Sequence, residues 1–182
     1  MAEKPLFGKC IERPHIDSQL VRFDTSTTEV KYTSEWNDVP GAHKVKCRTW
    51  SLDDGDGGVD GADILMEAGG YTPIQLVNAA TVVVDIPESG SADCVVMDLD
   101  GDIHVHHFDE ENIHQMVWTE GMIITWIART EFRLTEFECP SFTENMFKTI
   151  PDDAFEDDEE SMINKYIAQV MQLRAQNQSH EN

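Results

Sequence analysis

Paired cysteines, positive charge and long apolar runs are all scarce in this chain. There are only four cysteines in 182 residues: Cys10, Cys47, Cys94 and Cys139. None forms a Cys-x-x-Cys pair, and the gaps are long and irregular. A disulfide framework is not expected in a chain long enough to build an apolar core, so the thiols are read as free and mostly buried. No apolar run reaches the roughly 18 residues that span a bilayer. The opening residues lack the apolar stretch of a secretory signal, which makes the cytoplasm the expected compartment. Gly-x-Ser-x-Gly elbows and phosphate-cradling glycine loops are missing too, so nucleophilic hydrolases and nucleotide binders find no support.

Lys and Arg number 13 against 35 Asp and Glu, a formal net charge of −22. The imbalance lies almost wholly after residue 50: residues 1–50 carry about +1 and the remainder about −23. Such a field repels phosphate backbones, so neither nucleic acid nor an anionic membrane is expected as a partner. Self-repulsion that keeps the protein soluble is the simplest reading of this charge.

What is present is strand after strand. Apolar and polar residues alternate over residues 44–52, 72–77, 81–86, 94–99, 102–108, 122–128 and 132–138, with shorter candidates at 19–23, 29–32, 64–67 and 114–118. Turn residues recur about every ten positions, as in all-β sandwiches and barrels. Asp100-Gly101 between two alternating runs is a strong hairpin signal, and Glu120-Gly121 marks another turn. After an acidic run at residues 156–160, Met162, Ile163, Tyr166, Ile167, Val170, Met171 and Leu173 recur at helical spacing. That stripe predicts an amphipathic helix packed on the β domain or on a second subunit. The expected organisation is an N-terminal arm with edge strands (1–43), a β-barrel (44–142), and an acidic linker with a C-terminal helix (143–182).

The order of strands and turns resembles a cupin, the small double-stranded β-helix or jelly-roll barrel of the RmlC-like superfamily. The segment 117–128 is similar to the cupin turn and strand that normally begin with a metal-binding histidine. Leu134 to Phe142 is similar to the closing strand, and Ala68 to Val77 to the strand that normally carries His-x-His. The resemblance covers roughly residues 44–142 and implies an all-β jelly roll. It also marks what is different. Gln75-Leu76-Val77 stands at the His-x-His place, Ala79, Ala80 and Thr81 at the carboxylate place, and Ile124 at the second histidine place. None is a usual transition-metal ligand, so no metal at the standard positions and no other cofactor is expected.

Other clusters compete for a role. His104 and His106 share one strand face and could hold a metal, with His114 joining from the next strand. Ile103, Val105 and His107 read as the more core-like face, which would leave His104 and His106 outside. The stretch from Asp53 to Glu67 is rich in acids and Gly, and Asp56 to Glu67 partly matches a calcium loop, but the lead-in is strand-like, so a solvated hairpin loop is expected. Thr135, Phe137 and Cys139 read as the inner face of their strand, with Glu136 outside. Tyr71, Gln75, Trp118 and Trp126 are the candidates for lining a ligand cavity. Three functions stay open. The first is a metal-free module that binds a small polar metabolite, such as a sugar. The second is a metal-independent isomerase or epimerase, and the third a structural or assembly protein with an acidic surface. A homodimer through an edge strand or the helix fits any of them.

Overall fold

The computed structural model describes residues 30–52, 59–79, 81–111, 114–139, 146–154 and 161–178. The expected strand at 19–23, the acidic residues 53–58 and the acidic run at 156–160 lie outside the described residues. Among the described residues, twelve strands and one helix form the fold. All strand pairings are antiparallel.

Two layers make the barrel. One layer runs β12 (Phe147–Ile150), β5 (Ile74–Val77), β10 (Ile123–Ala128), β7 (Ser91–Met97) and β8 (Ile103–Asp109). The other runs β3 (His43–Leu52), β4 (Val59–Tyr71), β11 (Phe132–Cys139), β6 (Thr81–Ser89) and β9 (His114–Trp118). Strands β1 (Val30–Tyr32) and β2 (Asn37–Asp38) pair with β3 at its outer edge. The layers join where Ile127 of β10 meets Tyr71 at the end of β4. Cupin-like jelly rolls have this architecture.

Turn chemistry fixes the hairpins. Gly101 and Gly121 adopt φ of 82° and 96°, which a side chain would resist, at the two turns expected from Asp100-Gly101 and Glu120-Gly121. At the first, the Asp98 side chain accepts the amides of Asp100 and Asp102 at 3.0 and 2.9 Å. Strand β4 is much longer than expected. It already includes residues 59–63, so the second half of the calcium-loop match is extended backbone rather than loop. The sheet also continues past residue 142, because β12 pairs along β5.

The helix α1 (Met162–Gln178) lies on the outer face of the β5–β10–β7 layer. Tyr166, Ile167 and Val170 bury against Ile74, Val95, Ile123 and Ile127. Met162 and Met171, part of the expected stripe, remain exposed. The Tyr166 hydroxyl donates to the Val95 carbonyl at 2.9 Å. Strand β10 is therefore buried on both sides: Ile124, Trp126 and Ala128 point into the barrel, and Ile123 and Ile127 point under the helix. No helix among the described residues is long and apolar enough to cross a membrane.

Candidate functional site

The barrel interior is not filled. A cavity of about 550 Å³ remains between the layers. Trp118 and Trp126 wall it from β9 and β10, and Val45, Cys47 and Thr49 from β3. Gln75 and Ile124 also line it, and they are register partners across β5 and β10. The two places where the cupin resemblance expects histidines thus converge on one spot, occupied by an amide and an aliphatic side chain. The described lining holds one carboxylic acid, Glu136, and no Lys, Arg, His or Tyr.

Glu136 corrects the expected facing of β11. Phe132 and Leu134 are buried in the barrel core, so Glu136, two residues on, points inward with them. Phe137 points outward and packs edge-on against Trp50, with ring centroids 4.9 Å apart. A cross-strand row explains the space around the carboxylate. Thr49 pairs with Ala62, Ala62 with Glu136, and Glu136 with Asp85. Paired residues share a face, so the methyl of Ala62 leaves room beside Glu136 while Asp85, at 0% exposure, stands on its other side. The field of these acids reaches the thiols. Burial pushes the Cys47 thiol above its usual range, and the Glu136 charge adds to it. Cys94 is pushed up further, first by complete burial, then by Asp85, Glu136 and Asp93. Cys47 and Cys94 are free, as expected, and Cys94 is buried.

Of the four expected lining residues, Gln75, Trp118 and Trp126 meet in this cavity, and Tyr71 does not. Its ring lies on the helix side, 3.9 Å beneath the Arg174 guanidinium and 5.2 Å from the His43 ring.

The histidine strand is also turned the other way from expectation. Register sets His104 opposite Val96, His106 opposite Cys94 and Phe108 opposite Ala92, all on the barrel side. Val105 is 40% exposed, and His107 faces out to Asp93, which also pairs with Arg129 at 2.8 Å. Full burial of Phe108 decides the facing, since it shares parity with His104 and His106. His104 Nε2 lies 2.9 Å from Asp98 Oδ2 at the hairpin end, and its ring stacks on His106 at 5.9 Å. The His114 side chain lies outside those described. Among the described residues, no three His, Cys, Asp or Glu side chains are grouped to hold a metal ion.

A second, smaller hollow of about 290 Å³ lies on the outer face, and nothing in the residue pattern announced it. Arg48 sits there 3.9 Å from the Tyr32 ring and 4.9 Å from that of Trp36. It donates from Nε to Asp63 at 2.8 Å, and Trp50 Nε1 donates to the same carboxylate at 3.2 Å. These groups satisfy one another, so the cluster ties β1, β3 and β4 together. Burial is the largest cause raising the Tyr32 hydroxyl above its usual range, with the Asp63 charge next.

No protein-family model and no curated protein matches this sequence. Solved structures do match in shape. An arginine-to-alanine mutant of Bacillus subtilis oxalate decarboxylase aligns with 66% of this chain and 31% of its own, at 15% identity and a TM-score of 0.51. A tryptophan-to-phenylalanine form of that enzyme aligns with 75% of this chain and 35% of its own, at 16% identity and 0.50. The cupin domain of Schizosaccharomyces pombe Cnp3 gives 11% identity, 58% and 68% coverage, and 0.41. The aligned region spans about a third of the decarboxylase chains. At such identities the likeness speaks for fold alone: the chain is a cupin-like jelly roll.

Proposed function

We propose that this protein is a binding module that holds a small organic ligand inside the barrel, without a metal at the standard cupin positions. The supporting observation is the cavity itself. A barrel of this kind can be filled by its own side chains, yet here about 550 Å³ stays open behind two indoles. The volume falls within the range of small-molecule pockets, and the mix of apolar walls with a few polar groups is the usual composition of such sites. An isomerase or epimerase would need an acid and a base placed about a bound substrate. The described cavity lining holds one carboxylic acid and no His or Tyr, which favours binding over catalysis. Oxalate, named for the decarboxylase neighbours, is a dianion, and the described lining offers it no cation.

The test is a ligand-observed NMR screen of small polar and aromatic fragments against the wild type and Ala62→Phe. The new ring would occupy the space beside Glu136. Saturable binding that disappears in the variant supports the reading. In the wild type alone, the same fragments should protect Cys47 from alkylation. Fragments that neither bind nor shield Cys47 would overturn it.

A further inference from the structure

One polar side chain in the cavity wall narrows the class of ligand. We infer that the barrel takes a neutral carboxamide or lactam carried on a flat ring, with the Gln75 amide as its hydrogen-bonding partner. This rests on the reading just given, that the cavity holds a ligand.

Strand parity aims Gln75 inward. Val77, two residues on, is buried in the barrel core, while Ile74 and Leu76 pack under the helix. Gln75 therefore shares the inner face with Val77 and stands in the cavity wall opposite Ile124, which offers it no polar atom. Trp126, two residues past Ile124, is its diagonal neighbour on that face, roughly 7–8 Å away and within reach of the same small ligand.

The hydroxyls of the described lining are committed to the fold. Thr49 lies 2.8 Å from the Thr33 hydroxyl and donates to Ser34 Oγ at 3.2 Å. Thr72 accepts the Trp126 amide at 2.9 Å. Glu136 is not without a partner either. The Gln75 side chain, by contrast, makes no hydrogen bond to another described residue. Water can pair with it in an open cavity, but a ligand that displaces such water must reproduce its bonds or lose affinity.

An amide offers an acceptor, Oε1, beside a donor, Nε2. Both are met at once by a group that sets N–H and C=O side by side, which is the edge of a primary carboxamide or of a lactam. An ionised carboxylate has no donor for Oε1, and an ammonium has no acceptor for Nε2. A ketone or an ester serves only Nε2. The walls favour a flat body on that group. Trp126 is held by Phe108 edge-on at 4.6 Å and by Phe132 in a stack at 6.3 Å, so its ring is set before any ligand arrives. An aromatic ligand packed on such a ring gains more than its buried area alone.

The experiment compares three probes of nearly equal shape by ligand-observed NMR titration: benzamide, acetophenone and benzoate. The wild type should bind benzamide about tenfold tighter than acetophenone, which leaves Gln75 Oε1 without a donor. Benzoate should also bind more weakly than benzamide, since it lacks that donor and carries a charge out of water. In Gln75→Met, which keeps the length of the side chain and removes the amide, benzamide should bind no tighter than acetophenone. Equal or tighter binding of acetophenone or benzoate by the wild type overturns the inference and leaves the cavity a ligand site. A benzamide preference that survives in Gln75→Met also overturns it, since the partner of the amide would then be another group. If none of the three probes binds, the inference fails as well, and the fragment screen then decides separately whether the cavity holds any ligand. The comparison in the wild type stands even if the variant does not fold.

Discussion

Glu136 and Asp85 stand opposite each other on β11 and β6, both on the inner face of the barrel. Acids directly opposite across a strand pair are unfavourable, and burial adds to the cost of any charge they carry. Such an arrangement is expected where a site is kept for binding rather than for stability.

Arg174 should be the most sensitive position on the helix. It is 4% exposed, donates from Nη1 to Asp152 at 2.7 Å and from Nη2 to the Thr72 carbonyl at 3.1 Å, and covers the Tyr71 ring. Arg174→Ala removes all three contacts and should cost about 3 kcal/mol in urea denaturation. Arg174→Lys should restore only part of this, because an ammonium lacks the planar fork that serves two acceptors at once. A loss below about 1 kcal/mol in the alanine variant would show that the helix is held by its apolar face alone.

The β7–β8 hairpin should carry a pH signature. Burial alone would raise the Asp98 carboxyl, but hydrogen bonds from His104 and from the Asp102 and Asp100 amides outweigh it and hold it below its usual value. A carboxylate that is more acidic in the folded state stabilises the fold at pH values above its unfolded pKa. That contribution is lost as pH falls through the folded value. Asp98→Ala should thus lower Tm at neutral pH, and the gap to the wild type should close as the solution drops below the ordinary carboxylate range. A gap that does not narrow as the solution is acidified through and below the ordinary carboxylate range would contradict this origin for the effect.

The two described thiols should react differently. Thiolate is the attacking species. Cys94, fully buried and beside Asp85 and Glu136, should be alkylated far more slowly than Cys47, which is half-buried. Removing the Glu136 charge should speed the reaction of Cys47, because that charge helps to keep its thiol protonated. Peptide mapping after timed iodoacetamide treatment resolves the two sites. Equal rates would contradict the difference in burial, and no acceleration in Glu136→Gln would place Glu136 away from Cys47.

Strands were legible in the sequence and their facing was not. Asp100-Gly101 and Glu120-Gly121 announced the turns, and alternation marked most strands between them. Period-2 alternation sorts residues into two faces without saying which face is inside. On β11 the aromatic Phe137 suggested the inner face, but it packs outside on Trp50. On β8 the parity of Phe108 outweighs that of Ile103 and Val105. The helix deepened the ambiguity by burying the outside of β5, β7 and β10. Strand β2 escaped because two residues are too few for a period to show, and β12 because it lies beyond Pro140, which was read as the end of the strand run. Gln75 was named from its place in the cupin resemblance, and Trp118 and Trp126 for their aromatic rings; all three line the cavity. Glu136 was lost because an acid on an inner face runs against the rule that charges stay out.

A ligand site inside the barrel is tested most directly with the four tryptophans as reporters. Trp118 and Trp126 line the cavity, Trp36 borders the outer hollow, and Trp50 touches both. Titration with the tightest-binding small polar or aromatic fragment of the NMR screen, followed through the assigned indole N–H resonances, should shift Trp118 and Trp126 in a saturable manner and leave Trp36 in place. Shifts confined to Trp36, or none at Trp118 and Trp126 at saturation, would contradict a ligand site inside the barrel.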